Sequence, residues 1–141
     1  MMVDASAIGL RHSLTVRVDE SLTVPRVSPA FGFDEMPPVF ATAYLVGFVE
    51  AACLHALKPY LAEGEKTLGV HVDLSHSAAT PVGMTVTAEV ELVAVEGRRL
   101  RFRVECRDEV DAICAGFHER YVVDAAKFME RVTKKQARAS A

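Results

Sequence analysis

The segment VFATAYLVGFVEAACLHAL, residues 39–57, decides how the rest of the chain is read. It holds one carboxylate, Glu50, among apolar and small side chains, with Thr42, Tyr44 and His55 as its other polar groups. Pro37 and Pro38 precede it and Lys58-Pro59 follows, the punctuation expected where a helix begins and cannot continue. At about 100° per residue its apolar side chains point in nearly every direction, which predicts a helix buried all round. A lone buried carboxylate is costly unless it is paired, hydrogen-bonded or neutralised. Glu50 therefore needs a partner elsewhere, either a structural ion pair or a functional site. The run approaches a membrane span in length, but a mid-segment carboxylate, a nearby histidine and no one-sided basic flank argue against that reading.

Outward from the helix, the chain reads as strands. In residues 12–18, Leu14, Val16 and Val18 alternate with Ser13, Thr15 and Arg17, a half-buried strand. Residues 21–38 form a long proline-rich connection carrying an apolar knot of Phe31, Phe33 and Met36, the signature of a lid or binding loop. After a turn at Glu63-Gly64-Glu65, residues 67–77 alternate with Leu68, Val70, Val72 and Leu74 on one face and His76 at that face's far end. The next strand turns Val86, Ala88, Val90, Leu92 and Ala94 inward, and Glu96-Gly97 marks a hairpin. Its partner buries Leu100, Phe102, Val104 and Cys106. Arg99, Arg101, Arg103 and Arg107 face out, as cross-strand partners of Glu89 and Glu91 rather than as an anion site. Residues 112–123 are apolar on both faces, as in a central strand, and residues 125–138 read as a terminal helix fraying into a disordered basic tail over 132–141.

This order predicts one α+β domain over residues 1–141: a hot-dog fold, with a curled antiparallel sheet of five strands around one long buried helix. A helix without a solvated face needs cover beyond one sheet, so a second copy is expected to supply it in a homodimer or a higher assembly. The chain has 141 residues, 50% of them hydrophobic and 25% charged, which is ordinary for a single globular domain. A net charge of −3 with no basic tract inside the fold excludes nucleic acid as a natural partner. Cys53, Cys106 and Cys114 are isolated in apolar runs, as buried small hydrophobes in a reducing compartment. With no leader-like N-terminus, the expected location is the cytoplasm, away from membranes.

The chemistry rests on polar residues set in apolar surroundings: Thr42, Glu50 and His76. Thr42 and Glu50 are about 12 Å apart along the helix axis and about 80° around it, so both border one cleft without touching. His76 projects from the face that packs on the helix. A hydroxyl, a carboxylate and an imidazole beneath a loop are the parts of an acyl-transfer site. Singly, Thr42 also fits a hydroxyl bonded one turn back, and His76 a satisfied core histidine. No metal-ligand spacing or nucleotide-binding fingerprint is present.

Three segments carry a resemblance: MPPVFATAYLVGFVEAAC, LGVHVDLSHSAATPVGMTVTAEVELVAVEGRRL and AGFHERYVV. Their motifs ATxxxVxxxE, SHxAATPxGxTV and HER, within a match over residues 10–131, resemble the fluoroacetyl-CoA thioesterase family and its hot-dog relatives. The resemblance implies that Thr42, Glu50 and His76 are catalytic and that the Gly69 backbone and the Arg120 side chain hold substrate. It also implies that residues 21–36 are a lid, with Phe33 and Met36 at the acyl gate, where a second phenylalanine is the family's choice for position 36. Ala51 stands where an indole follows the glutamate. The implied enzyme is a homodimer without metal or cofactor, coenzyme A being part of the substrate and water the second reactant. The competing readings are a broader-range thioesterase for short or aryl acyl groups, favoured by Met36 and Ala51, and a non-catalytic acyl-CoA binding protein. A hydratase is disfavoured because its Asp/His signature is not visible.

Overall fold

The computed structural model describes residues 3–140. Its elements run β1 (Arg11–Arg17), α1 (Thr42–Leu57), β2 (Glu65–Leu74), β3 (Thr85–Glu96), β4 (Arg99–Arg107), β5 (Ala112–Asp124) and α2 (Ala125–Ala139). The strands form one antiparallel sheet in the order β1-β3-β4-β5-β2. α1 lies across its inner face against β1, β2 and β3, giving the α+β hot-dog arrangement expected from the element order. Alternation builds the core. Val86, Ala88, Val90 and Leu92 of β3 and Leu100, Phe102, Val104 and Cys106 of β4 all point inward onto Leu45, Val49, Ala52, Cys53 and Leu57 of α1. Each fully buried Leu or Phe among them stabilises the fold by about 1.5–3 kcal/mol relative to exposure. The three cysteines are free and buried. No helix among the described residues is long and apolar enough to cross a membrane.

On the outer face the arginines of β4 are paired as their alternation requires. Arg103 meets Glu91 at 2.7 Å and Arg107 meets Glu89 at 3.0 Å. Arg99 and Arg101 instead share Glu119 of β5, a partner the hairpin reading did not include. Such exposed pairs each contribute about 0–1 kcal/mol.

Four local features depart from the sequence pattern. First, α1 is not buried all round: Leu45, Val49, Ala52, Cys53, Ala56 and Leu57 are buried, while Ala43, Gly47 and Leu54 form an open stripe beside Glu50. One sheet covers only one side of a cylinder. Second, a bulge between Gly69 and His71 inverts the alternation of β2. Before it, Thr67 and Gly69 pair with the inward Val122 and Arg120 while Leu68 faces out beside Tyr121. After it, Val72 and Leu74 lie on the inner side, Leu74 packed on the core and Val72 left 48% exposed. An extra residue in one strand flips every following side chain. Third, a bulge between Leu92 and Ala94 sends Ala94 outward opposite Arg101 and brings Val95 onto the core opposite Leu100. Fourth, α2 runs to Ala139, so residues 132–139 are helical rather than a disordered tail; residue 141 lies outside the described residues. Asp124 accepts from the Lys127 N–H at its N-terminus, and Ala, Lys, Arg and Gln are strong helix formers.

The long connection is also more ordered than a free loop. It is built of 3-10 turns at Glu20–Leu22, Val24–Arg26 and Pro29–Phe31. Its first half is tied down by bonds from Val24 N to Val39 O and from Ala41 N to Leu22 O, and Tyr44 of α1 donates to the Arg26 carbonyl at 2.9 Å. Residues 39 and 40 are extended, bridging Pro81 and Thr23, so the helix starts only at Thr42.

Candidate active site

Thr42 is therefore the first residue of α1. Its N-cap, Ala41, makes no side-chain hydrogen bond, so no side chain caps the positive end of the helix at Thr42. His76 arrives from the segment after β2, which stays bonded to β5 through Ser75 N to Ala115 O and Ser77 N to Ile113 O. The parity set by the bulge turns His76 inward, with its ring edge-on to Phe40 at 6.4 Å between centroids. Thr42 Oγ1 and His76 Nδ1 lie 2.7 Å apart. Nε2 is buried without a hydrogen-bond partner. Burial lowers the His76 pKa below its ordinary value, so the ring is neutral near pH 7 and able to accept a proton.

Beyond His76 the loop is anchored through Thr80. The Thr80 carbonyl accepts from Phe40 N, and its hydroxyl donates to Asp108 at 2.7 Å. Asp108 in turn accepts from the N–H groups of Val110 and Asp111. The ATP run of the central motif thus fixes where His76 sits.

Glu50 belongs to a second cluster, two turns further along α1. Its Oε1 accepts from Arg120 Nη1 at 3.0 Å; the Arg120 side chain is 4% exposed and that of Glu50 37%. Arg120 also donates through Nε to Thr67 Oγ1 at 2.8 Å, through Nη2 to the Thr67 carbonyl at 2.8 Å, and through Nη1 to His118 Nε2 at 3.1 Å. Four of its roughly five N–H groups are thereby used, which holds the guanidinium rigid. Gly69 lies against this pair. A Cβ there would meet Glu50 Oε1 at 2.6 Å and His118 Cε1 at 3.2 Å, so the missing side chain is the space that the carboxylate occupies. Cys53, one turn past Glu50, has its thiol pushed up to about 12, chiefly by burial, and stays protonated rather than acting as a rival nucleophile.

The structure brings together Thr42 with His76, and Glu50 with Gly69 and Arg120. Glu50 stays two turns from Thr42, as the eight-residue spacing along α1 requires, and the Thr42 hydroxyl meets His76 instead. Phe33 and Met36 are not packed on either cluster; Phe33 meets Phe31 at 5.9 Å, and Met36 is 50% exposed. No group of three His, Cys, Asp or Glu side chains among the described residues is arranged to hold a metal ion.

The profile of the fluoroacetyl-CoA-specific thioesterase family matches residues 18–126, a span that contains both clusters. The chain belongs to this family. A fluoroacetyl-CoA thioesterase from Streptantibioticus cattleyicolor is 44% identical over 135 residues, covering 95% of this chain and 97% of that one. A solved structure of the fluoroacetyl-CoA thioesterase superposes with a TM-score of 0.89 at 44% identity, over 94% of this chain and 98% of that one. A Thermus thermophilus member of the thioesterase superfamily has a TM-score of 0.81 at 28% identity, covering 94% and 95%. A variant of the fluoroacetyl-CoA enzyme solved with fluoroacetate and CoA gives 0.83 at 46% identity, over 86% and 98%.

Within this thioesterase chain, sequence reasoning missed Thr67 and His118. His118 was within reach, since it shares the HER motif and the strand face of Arg120. Thr67 was not, because the single alternation assigned to β2 put it on the outer face.

Proposed function

We propose that the protein hydrolyses short acyl-CoA thioesters of the fluoroacetyl-CoA type to the free acid and CoA. The observation that carries this reading is the hydroxyl–imidazole pair, Thr42 Oγ1 to His76 Nδ1 at 2.7 Å, at an uncapped helix N-terminus. As Thr42 Oγ1 attacks the thioester carbonyl carbon, His76 Nδ1 takes its proton. When the C–S bond breaks, that proton goes to the departing CoA thiolate. The N–H groups at the start of α1 stabilise the oxygen where negative charge develops, while Gly69 lies with Glu50 two turns away. Glu50 is held by Arg120 through Oε1. In the second step its other oxygen, not engaged by Arg120, takes a proton from the water that attacks the acyl carbon. The C–Oγ1 bond breaks, the acid leaves, and that proton returns through solvent to Thr42 Oγ1. Side chains alone carry this route, with no cofactor, coenzyme A being part of the substrate.

A homodimer in the cytoplasm belongs to the same proposal. The open stripe of α1 and the exposed Leu68, Val70, Val72 and Tyr121 supply an apolar surface for a second copy. Phe33 and Met36 are then the acyl gate. A broader acyl range is favoured by Met36, whose flexible thioether closes a small pocket less sharply than a ring.

Release of free thiol from fluoroacetyl-CoA and acetyl-CoA, measured side by side, tests the reading. Preference for the fluorinated thioester is the expected result; equal rates place the protein among general short-chain thioesterases. No thiol release from either, with binding retained, overturns hydrolysis in favour of a binding protein. Folded Glu50→Gln is expected to lose turnover.

A further inference from the structure

The HER motif of β5 places three side chains on alternating faces. Glu119 goes outward to Arg99 and Arg101, while His118 and Arg120 go inward under Glu50. His118 is fully buried. Its Nδ1 lies 2.8 Å from the His71 carbonyl oxygen. A carbonyl only accepts, so Nδ1 carries the hydrogen. Its Nε2 lies 3.1 Å from Arg120 Nη1, and an arginine only donates, so Nε2 presents a lone pair. Both ring nitrogens are therefore fixed in role, and the ring is held neutral. Arg120 Nη1 has two hydrogens; His118 takes one and Glu50 Oε1 the other.

The bulge of β2 gains a purpose from this arrangement. The register shift falls between Gly69 and His71, and the carbonyl of His71 is the one that receives His118. A bulge interrupts the ladder and leaves a backbone group to a side chain. The same interruption sets Gly69 against the carboxylate and turns Val72, Leu74 and then His76 inward.

We propose that His118 is a positioning residue for the hydrolysis: anchored on the His71 carbonyl, it orients Arg120, and Arg120 orients the carboxylate of Glu50. This rests on the role given to Glu50 above. His118 touches no substrate in this scheme and acts only through the guanidinium. Without an acceptor at Nε2, one buried Nη1–H loses its partner. The guanidinium then turns toward the remaining acceptors, and Glu50 loses its fixed direction.

Two substitutions separate positioning from mere packing. His118→Asn keeps a donor near Nδ1 and removes the acceptor at Nε2; His118→Gln places an amide oxygen near Nε2. The expected result is a fall in kcat of about 10–100-fold for His118→Asn with KM changed by less than about threefold, and recovery of at least about tenfold in His118→Gln. Wild-type kcat in His118→Asn overturns the proposal. Equal losses in the two variants that follow the fraction of folded protein in thermal melts also overturn it, since packing alone then accounts for them. Glu50→Gln in the same assay keeps the two readings apart. If it is folded and still turns over, the role of Glu50 fails and this proposal with it. If it is inactive while His118→Asn is unaffected, only the positioning role fails.

Discussion

Replacing Gly69 by alanine tests the second cluster with one methyl group. Gly69 does not have a left-handed backbone, so alanine brings no conformational penalty and any effect is local and steric. The new Cβ would sit 2.6 Å from Glu50 Oε1, about 1 Å inside ordinary contact, and 3.2 Å from His118 Cε1. Buried His118, pinned at both nitrogens, cannot yield. Glu50 is 37% exposed and can, so the carboxylate swings toward solvent and leaves Arg120 Nη1. The lost charge-assisted bond is worth about 1.5–3 kcal/mol when dry. Water reaching the partly open carboxylate reduces this to about 1 kcal/mol of stability. Catalysis is more sensitive to position: a displacement of about 1 Å costs on the order of 10²-fold in rate. Gly69→Ala should therefore lower kcat for thiol release about 100-fold while denaturant unfolding moves by only about 1 kcal/mol. The reasoning is refuted if the variant turns over at the wild-type rate. It is also refuted if activity and stability fall together in proportion, because the glycine then serves the fold and not the carboxylate.

Thr42→Val preserves shape and removes the hydroxyl that meets His76; kcat should fall by about 10²-fold or more, while Thr42→Ser retains measurable turnover in the same assay. Burial lowers the pKa of both His76 and His118 from 6.5. Between their folded values and 6.5 the unfolded chain binds more protons, so stability rises with pH in that window and is lost on acidification below about 6.5. Melts from pH 7.5 downward should show this fall, shallower in His118→Gln; an unchanged slope would exclude His118 as a contributor. Met36→Phe should raise the ratio of kcat/KM for fluoroacetyl-CoA over acetyl-CoA by about fivefold, the worth of about 1 kcal/mol at the gate. An unchanged ratio would place Met36 away from the acyl group.

The sequence by itself determined the layers. Period-two alternation in β1, β3 and β4, the apolar run of α1 and the prolines around it follow from local geometry and from the need to bury apolar area, so each was legible within a few residues. Thr42, Glu50 and His76 stood out for the same reason, as polar groups in apolar surroundings. The tertiary structure decided which of them meet. One inserted residue at each of two bulges reversed the faces of β2 and β3, a change that leaves no mark on composition or period. That reversal put Thr67 and Gly69, not Leu68, against Arg120 and Glu50, and sent His76 toward Thr42. The partner demanded by the lone carboxylate lay 70 residues away, at Arg120. Hydrogen bonds across such a separation depend on strand register in three dimensions, which no local pattern encodes.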